Sequence, residues 1–164
     1  MSEFFQRPVV CNTSPVISLS KAGLGHLFAS LFPKVLTTRK VVEELQAKDA
    51  SDVLSIQETL GAFDILPTPP VDPVLSTILD PGEASVMQLA KELGISGIVL
   101  DEKRGRRVAM DVFGLEVVGT CGLLLRAKKL ALIPEVKAPL ERIIANGLFV
   151  SPRLWLQCLR LAGE

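Results

Sequence analysis

The apolar positions of the chain fall into two patterns that predict two kinds of secondary structure. Short apolar runs are typical of strands that are buried on both faces of a parallel sheet. Between these runs, apolar residues recur every three or four positions, which is the spacing of helices with one buried face. The alternation predicts a three-layer α/β/α fold with a mainly parallel, Rossmann-like central sheet. The predicted strands are Pro8–Ser14, Val35–Thr37, Gly97–Asp101 and Leu115–Val118, with a minor strand at Ile65–Leu66.

Capping residues followed by proline mark the starts of several predicted helices. Ser14, Asp80 and Ser151 each precede a proline and are predicted N-caps. The helix after the second strand places Val41, Val42 and Leu45 on its buried face. On that helix Glu43 points to solvent and Glu44 lies on the flank, where both a solvated and a functional role are open. Residues 1–7 are predicted to be frayed.

Length and composition predict one domain. The chain has 164 residues, and its 48% hydrophobic content can build a full core without disulfides or a structural metal. We expect residues 1–164 to form this domain, with 135–164 as a helical extension packed on it. No apolar run is long enough to span a membrane, and the N-terminus lacks a signal-peptide core. Three widely separated cysteines indicate a reducing cytoplasm.

Charge and histidine content narrow the possible chemistry. The formal net charge is zero, so a nucleic-acid site would have to be a local patch. His26 is the one histidine, and no paired cysteines have zinc-ligand spacing, which argues against zinc sites and histidine-based catalytic triads. A bound metal would therefore be held by oxygen, which favours Mg²⁺ or Mn²⁺.

Polar residues follow two of the predicted strands, where parallel sheets place their sites. Asn12, Thr13 and Ser14 end the strand Pro8–Ser14, and Asp101 ends the strand Gly97–Asp101. Asp101 is either a metal ligand or the N-cap of the helix from Lys103, and the two roles are compatible. Glu83 either completes a capping box with Asp80 or points from the first helical turn into a cleft.

A basic cluster follows Asp101 within one helical turn. Arg104, Arg106 and Arg107 are candidate phosphate ligands, although some of them would form ordinary surface ion pairs. A second basic group could extend this patch, and it consists of Arg126, Lys128 and Lys129. Carboxylates around one or two metal ions would activate water and neutralise charge on a scissile phosphate, and the arginines would hold the flanking backbone.

Several segments, taken together in their order, resemble the PIN-domain family, and more closely a bacterial and archaeal branch of short PIN proteins. They are VVCNTSPVISL at 9–19, VVEEL at 41–45, LDPGEAS at 79–85, VLDEKRGRRVA at 99–109, VVGTCGLLLRAK at 117–128 and the tail from Ser151. The resemblance implies a Mg²⁺- or Mn²⁺-dependent ribonuclease fold. Many relatives are toxins of VapC-type toxin–antitoxin pairs, which implies single-stranded or structured RNA, a small antitoxin and a homodimer as partners.

The resemblance also assigns a site and shows one departure from the family pattern. The metal-binding and catalytic positions fall on Asn12, Glu44, Glu83 and Asp101, and Thr13 or Ser14 matches the hydroxyl position. The family usually has aspartate where this chain has Asn12, so one negative charge is missing and metal affinity should fall.

Three hypotheses follow from these residues. The first is a divalent-metal ribonuclease, and the second is a PIN-like module that binds RNA or protein without cleaving. A third, a receiver-like phospho-acceptor domain, needs an acidic pair that Asn12 does not supply.

Overall fold

A parallel sheet forms the centre of the molecule. The computed structural model describes residues 3–48 and 52–164. Within these residues the sheet has five strands in the order β3-β2-β1-β4-β5, and every neighbouring pair is parallel. The three-layer α/β/α prediction is confirmed. The strands are β1 (Val9–Cys11), β2 (Val35–Thr38), β3 (Asp64–Leu66), β4 (Gly97–Val99) and β5 (Glu116–Val118).

Helices connect the strands and cover the sheet. Helix α6 packs across β1, β2 and β4, while α7 and α8 pack on β5. The helices are α1 (Thr13–Lys21), α2 (Leu27–Leu31), α3 (Arg39–Ala47), α4 (Val53–Leu60), α5 (Pro73–Ile78), α6 (Pro81–Leu93), α7 (Lys103–Asp111), α8 (Thr120–Lys129), α9 (Lys137–Ala145) and α10 (Pro152–Ala162). None of the helices in the described residues is long and apolar enough to cross a membrane.

The strand order determines where a site can form. From β1 the chain proceeds through β2 to β3 on one side, and then returns to place β4 and β5 on the other side. The connections therefore diverge between β1 and β4, which leaves a cleft at the carboxyl ends of these two strands. Val9, Val10 and Cys11 are fully buried because β1 is the central strand.

Helix α5 was not predicted from the sequence. Asp72 caps it by accepting a hydrogen bond from the Val74 backbone N–H at 2.8 Å, and Pro73 occupies its first position. The signal, an aspartate followed by proline, is the one that marked α6 at Asp80–Pro81. The proline-rich segment before it favours a loop, and so the short helical signal was not recognised.

Aromatic packing holds the N-terminal segment from residue 3 onward, so the prediction of a frayed start is wrong for residues 3–7, while residues 1–2 lie outside the described residues. Residues Glu3–Gln6 form a 3₁₀ helix in which Phe4 and Phe5 are buried. The Phe5 ring stacks on Phe32 with a centroid distance of 5.1 Å, and the Arg126 guanidinium lies 5.2 Å from the Phe5 centroid. Burying two aromatic rings offsets the entropy cost of ordering this short segment.

Glu164 holds the last two helices on α8. Its carboxylate accepts hydrogen bonds from the Val136 and Lys137 backbone N–H groups at 2.7 and 2.8 Å. The Lys128 ammonium lies 2.7 Å from the same carboxylate. Together these contacts lower the pKa of Glu164 to about 2, and the hydrogen bond from Lys128 makes the largest contribution. They join the start of α9, the end of α10 and the last turn of α8.

Replacing Glu164 by alanine should loosen α10 above pH 5. A carboxyl with a depressed folded-state pKa stabilises the fold above its ordinary pKa of about 4.5, and this contribution disappears as pH falls toward 2. We expect Glu164→Ala to lower Tm by a few degrees at pH 7 and by less near pH 2. Circular dichroism melts measure this, with Glu141→Ala on the exposed side of α9 as the control. If Glu164→Ala lowered Tm by the same amount at pH 7 and near pH 2, the ionised Glu164 carboxylate would not be the stabilising group.

Candidate active site

The candidate site lies at the carboxyl ends of β1 and β4. Asn12 directly follows β1, and Asp101 follows β4 after Leu100. The Asn12 backbone N–H donates to the Val99 carbonyl at 3.0 Å, so the two strand ends are in direct contact. The structure thus brings together the two polar strand ends that the sequence placed on separate segments.

Asn12 has a buried side-chain oxygen without a partner. The residue is 6% exposed, and its Oδ1 has no hydrogen-bond partner among the described residues. Asn12 occupies the N-cap position of α1 but makes no side-chain capping bond, and Ser14 lies inside the first turn. The prediction that Ser14 caps this helix is therefore wrong. Leaving a buried amide oxygen unpaired costs about 1–3 kcal/mol, so this atom is suited to a cation or a water molecule.

Glu44 connects three segments at the edge of the site. Its carboxylate accepts hydrogen bonds from the Gly82 backbone N–H at 2.9 Å and from the Thr13 hydroxyl at 2.8 Å. A Cβ atom at position 82 would lie 2.8 Å from Glu44 Cδ, so glycine permits the carboxylate to approach α6 this closely. The solvated alternative for Glu44 is therefore wrong, whereas Glu43 is exposed as predicted.

Glu83 is a buried acid with two roles. Its Oε2 accepts a hydrogen bond from the Asp80 backbone N–H at 3.3 Å, which is the predicted capping-box contact. The residue is also 6% exposed and faces the body of the protein. Burial raises the pKa of Glu83 to about 7, and the negative charges of Glu102, Asp80 and Glu44 add to this shift.

Asp101 is oriented by the start of α8. Its Oδ1 accepts a hydrogen bond from the Thr120 backbone N–H at 2.7 Å, and its Oδ2 accepts one from the Thr120 hydroxyl at 2.7 Å. Burial raises the pKa of Asp101, while the two Thr120 bonds and the Arg106 charge oppose that shift. Asp101 does not cap α7, because the Glu102 carboxylate accepts from Gly105 N–H at 2.8 Å.

The predicted basic patch divides into two groups. Arg106 lies at the site, where its guanidinium donates to the Leu100 carbonyl at 3.2 Å. A Cβ atom at Gly119 would lie 2.7 Å from Arg106 Nη1 and 2.9 Å from Asp101 Oδ1, so glycine permits this close packing. Arg104 and Arg107 are exposed on α7. Arg126 and Lys128 do not extend the patch, because they contact Phe5 and Glu164.

A cavity of about 1030 Å³ opens beside Asp101. One wall is the face of α1 that carries Ser14, Ile17 and Ser18, and another is the first half of α8. Lys103 and Arg106 lie at its α7 side, and residues 146–151 with α10 complete the lining. Sequence reasoning gave no indication of this cavity, since it depends on how α9 and α10 pack beside α8.

The donor atoms of the site fit a hard divalent cation. Within the described residues, no group of three or more histidine, cysteine or acidic side chains is already gathered closely enough to hold a metal ion. However, Mg²⁺ usually keeps several water ligands and needs only one or two protein carboxylates. Such an ion would give the Asn12 oxygen a partner and would offset the negative charges around Glu83.

Comparisons with known proteins identify the family. The DUF3368 family model, described as a PIN domain, matches residues 8–164. The fold is similar to the crystal structure of PAE2754 from Pyrobaculum aerophilum, with a TM-score of 0.51, 16% identity, and coverage of 74% of this chain and 96% of that chain. Among curated proteins nothing matches. PIN domains are typically nucleases that use divalent metal ions. The chain belongs to the PIN-domain family.

Proposed function

We propose that this protein is a divalent-metal-dependent endoribonuclease. The observation that carries the proposal is the buried, unpaired Asn12 oxygen at the end of β1, where the Asn12 backbone N–H bonds to the Val99 carbonyl, two residues before Asp101. Asn12, Glu83 and Asp101, with Glu44 at the edge, would hold Mg²⁺ or Mn²⁺. When bound, such an ion lowers the pKa of a coordinated water and neutralises phosphate charge.

The side chains of the site have separate tasks in this proposal. Thr120 orients Asp101 through both carboxylate oxygens, so Asp101 presents a fixed negative charge to the cation. Glu44 positions the Thr13 hydroxyl and the start of α6 through its two hydrogen bonds. Arg106, beside Asp101, would bind a phosphate oxygen of the RNA. Ser14, Arg104 and Arg107 are proposed to contact the RNA backbone.

The biological setting is also a proposal. The family resemblance supports a toxin of a toxin–antitoxin pair, acting as a homodimer on RNA in the cytoplasm. The contacts of α9 and α10 with α8 support one domain that includes residues 135–164 as an extension.

A second candidate function is an RNA- or protein-binding module without cleavage. Asn12 favours it, because an amide provides the oxygen of the usual aspartate without its charge. The two functions differ in whether the native site still binds a cation strongly enough to act.

Restoring aspartate at position 12 separates these two functions. The added charge should tighten Mn²⁺ binding by about ten- to a hundredfold. The measurements are calorimetric Mn²⁺ titration and cleavage of single-stranded RNA with Mn²⁺ or with EDTA. If the protein is a nuclease, the native chain cleaves RNA with Mn²⁺ but not with EDTA, and Asn12→Asp cleaves faster.

The matched control is Gln57→Glu, which adds one negative charge on the exposed side of α4. If Asn12→Asp binds Mn²⁺ and cleaves RNA while the native chain does neither, the binding-module function is correct and the nuclease proposal fails. If Gln57→Glu gained as much Mn²⁺ affinity and RNA cleavage as Asn12→Asp, the gain would come from the net charge of the protein and not from position 12.

A further inference from the structure

We propose that the cavity beside Asp101 is a nucleobase-binding subsite, in which Phe149 stacks on one base of a single-stranded RNA. This inference rests on the proposed function, because it assumes that the RNA backbone passes the Asp101 end of the cavity. It adds a residue and a contact beyond the four positions, Asn12, Glu44, Glu83 and Asp101, that the family resemblance assigns.

Phe149 is an unusual aromatic residue in this molecule. It is 86% exposed, whereas each of the other phenylalanines is buried or packed against the core. It lies in the segment between α9 and α10, close after Gly147, whose φ of +113° is a conformation that favours glycine. The turn therefore presents a large flat ring at the cavity instead of folding it into the core. Exposed aromatic rings are the surfaces on which unpaired bases stack.

The lining of the cavity changes character from one end to the other. Asp101, Lys103 and Arg106 provide charge where the cavity meets the candidate active site. The rest of the lining is mainly apolar, with Ile17, Leu125 and Leu154, while its polar members include the exposed amides of Asn146 and Gln157 and the Lys21 ammonium, which is paired with Asp52. A nucleotide has the same division, since its phosphate is charged while its base has an apolar face and a polar edge.

The acids at the charged end accept hydrogen bonds, and one of them lies beside a cation, which weakens their repulsion of a phosphate. The Asp101 carboxylate is bonded to Thr120 and lies beside the Arg106 cation. The Glu102 carboxylate is engaged by the Gly105 N–H at the start of α7. Lys103 and Arg106 are the cations at this end, and Arg106 is shared with Asp101. The cavity volume, about 1030 Å³, is at the upper end of the range for ligand sites and has room for a base with its sugar.

The division of charge favours a nucleotide over an apolar protein segment as the occupant. An apolar helix from a protein partner would satisfy the apolar walls but would bring no anion to Lys103. The base edge would meet the exposed amide groups of Asn146 and Gln157. Phe149 would supply affinity for any base, and these amides would supply preference among bases.

The test measures RNA binding without cleavage. Fluorescence anisotropy with labelled single-stranded oligouridine, in EDTA, compares the native chain with Phe149→Ala and Phe149→Trp. We expect Phe149→Ala to weaken binding roughly five- to a hundredfold, the range for losing one stacked base. Phe149→Trp should bind about as well as the native chain, because it keeps a stacking ring. An abasic ribose-phosphate oligomer should bind Phe149→Ala and the native chain equally.

Leu54→Ala is the matched control, because Leu54 is 78% exposed on α4 and does not line the cavity. Thermal melts of each variant check folding, and truncating so exposed a ring should leave Tm nearly unchanged. If Phe149→Ala binds oligouridine as well as the native chain does, the subsite is wrong. The subsite is also wrong if Phe149→Ala weakens binding of the abasic oligomer as much as binding of oligouridine. It is wrong too if the only effect of Phe149→Ala is that a co-purifying protein partner is lost.

The same variants separate this inference from the proposed nuclease activity. If the native chain cleaves RNA with Mn²⁺ while Phe149→Ala binds and cleaves normally, the subsite fails and the nuclease proposal stands. If Phe149→Ala loses binding but the native chain never cleaves RNA with Mn²⁺, the subsite stands and the nuclease proposal fails.

Discussion

Asp101→Asn is expected to lower metal-dependent RNA cleavage by about a hundredfold or more, with little change in Tm. The substitution removes a negative charge that would face the cation, and charge stabilisation by a bound metal is worth several kcal/mol in such reactions. It preserves shape, because the amide oxygen can still accept from the Thr120 N–H and the amide N–H₂ can donate to the Thr120 hydroxyl.

The measurement is the rate of RNA cleavage at saturating Mn²⁺, together with a thermal melt of each protein. Asp111→Asn, on the exposed end of α7, makes the same charge change away from the site and should cleave at the native rate. Equal cleavage by Asp101→Asn and the native chain would contradict the proposed ribonuclease. A large drop in Tm would instead assign Asp101 to the packing of α8.

Glu83→Gln is expected to stabilise the metal-free protein above pH 7 and to weaken its metal binding. Burial raises the pKa of Glu83 to about 7 from an ordinary value near 4.5. Between these two values the folded state keeps a proton that the unfolded state has lost, so stability decreases as pH rises from 4.5 to 7. Above pH 7 the full penalty is present, on the order of 3 kcal/mol. Glutamine removes this penalty and can still accept from the Asp80 N–H.

The measurement is a pair of thermal melts, in EDTA at pH 5 and at pH 8. The native chain and Glu83→Gln should have similar Tm values at pH 5, while the variant should melt several degrees higher at pH 8. Adding Mn²⁺ at pH 8 should raise Tm for the native chain more than for the variant, since metal binding requires the ionised carboxylate. Glu92→Gln on the exposed side of α6 is the control and should be insensitive to both changes. A variant that is no more stable at pH 8 would show that Glu83 is ionised without cost.

The main elements of the fold could be predicted because their signals are local. Thr38 accepts a hydrogen bond from the Val41 N–H at 3.1 Å and caps α3, and Val41, Val42 and Leu45 are buried as the helical period predicts. Helix α9, Lys137–Ala145, ends directly before Asn146 and Gly147, a pair that commonly stops helices. Each of these features depends on residues within a few positions of one another, so the sequence contains the whole signal.

Local signals were misleading where several neighbouring residues could perform the same task. Ser14 and Asn12 were both able to cap α1, and Asp101 and Glu102 were both able to cap α7. In the structure Asn12 takes the N-cap position of α1 without a side-chain capping bond, and Glu102 caps α7 through its bond to the Gly105 N–H. The backbone direction at the end of each strand determines which residue takes the N-cap position, and that direction depends on the neighbouring strands.

By itself the sequence determined the alternation of strands and helices, the family motifs, and which oxygen-bearing residues follow β1 and β4. The tertiary structure alone decided that Glu44 bonds to Gly82 and Thr13, that Thr120 orients Asp101, and that the Asn12 oxygen has no partner in the described part of the chain. It also decided that a cavity with Phe149 at its wall adjoins the site. The physical reason is that these contacts join residues far apart in the chain, and only the strand order and helix packing bring them within bonding distance.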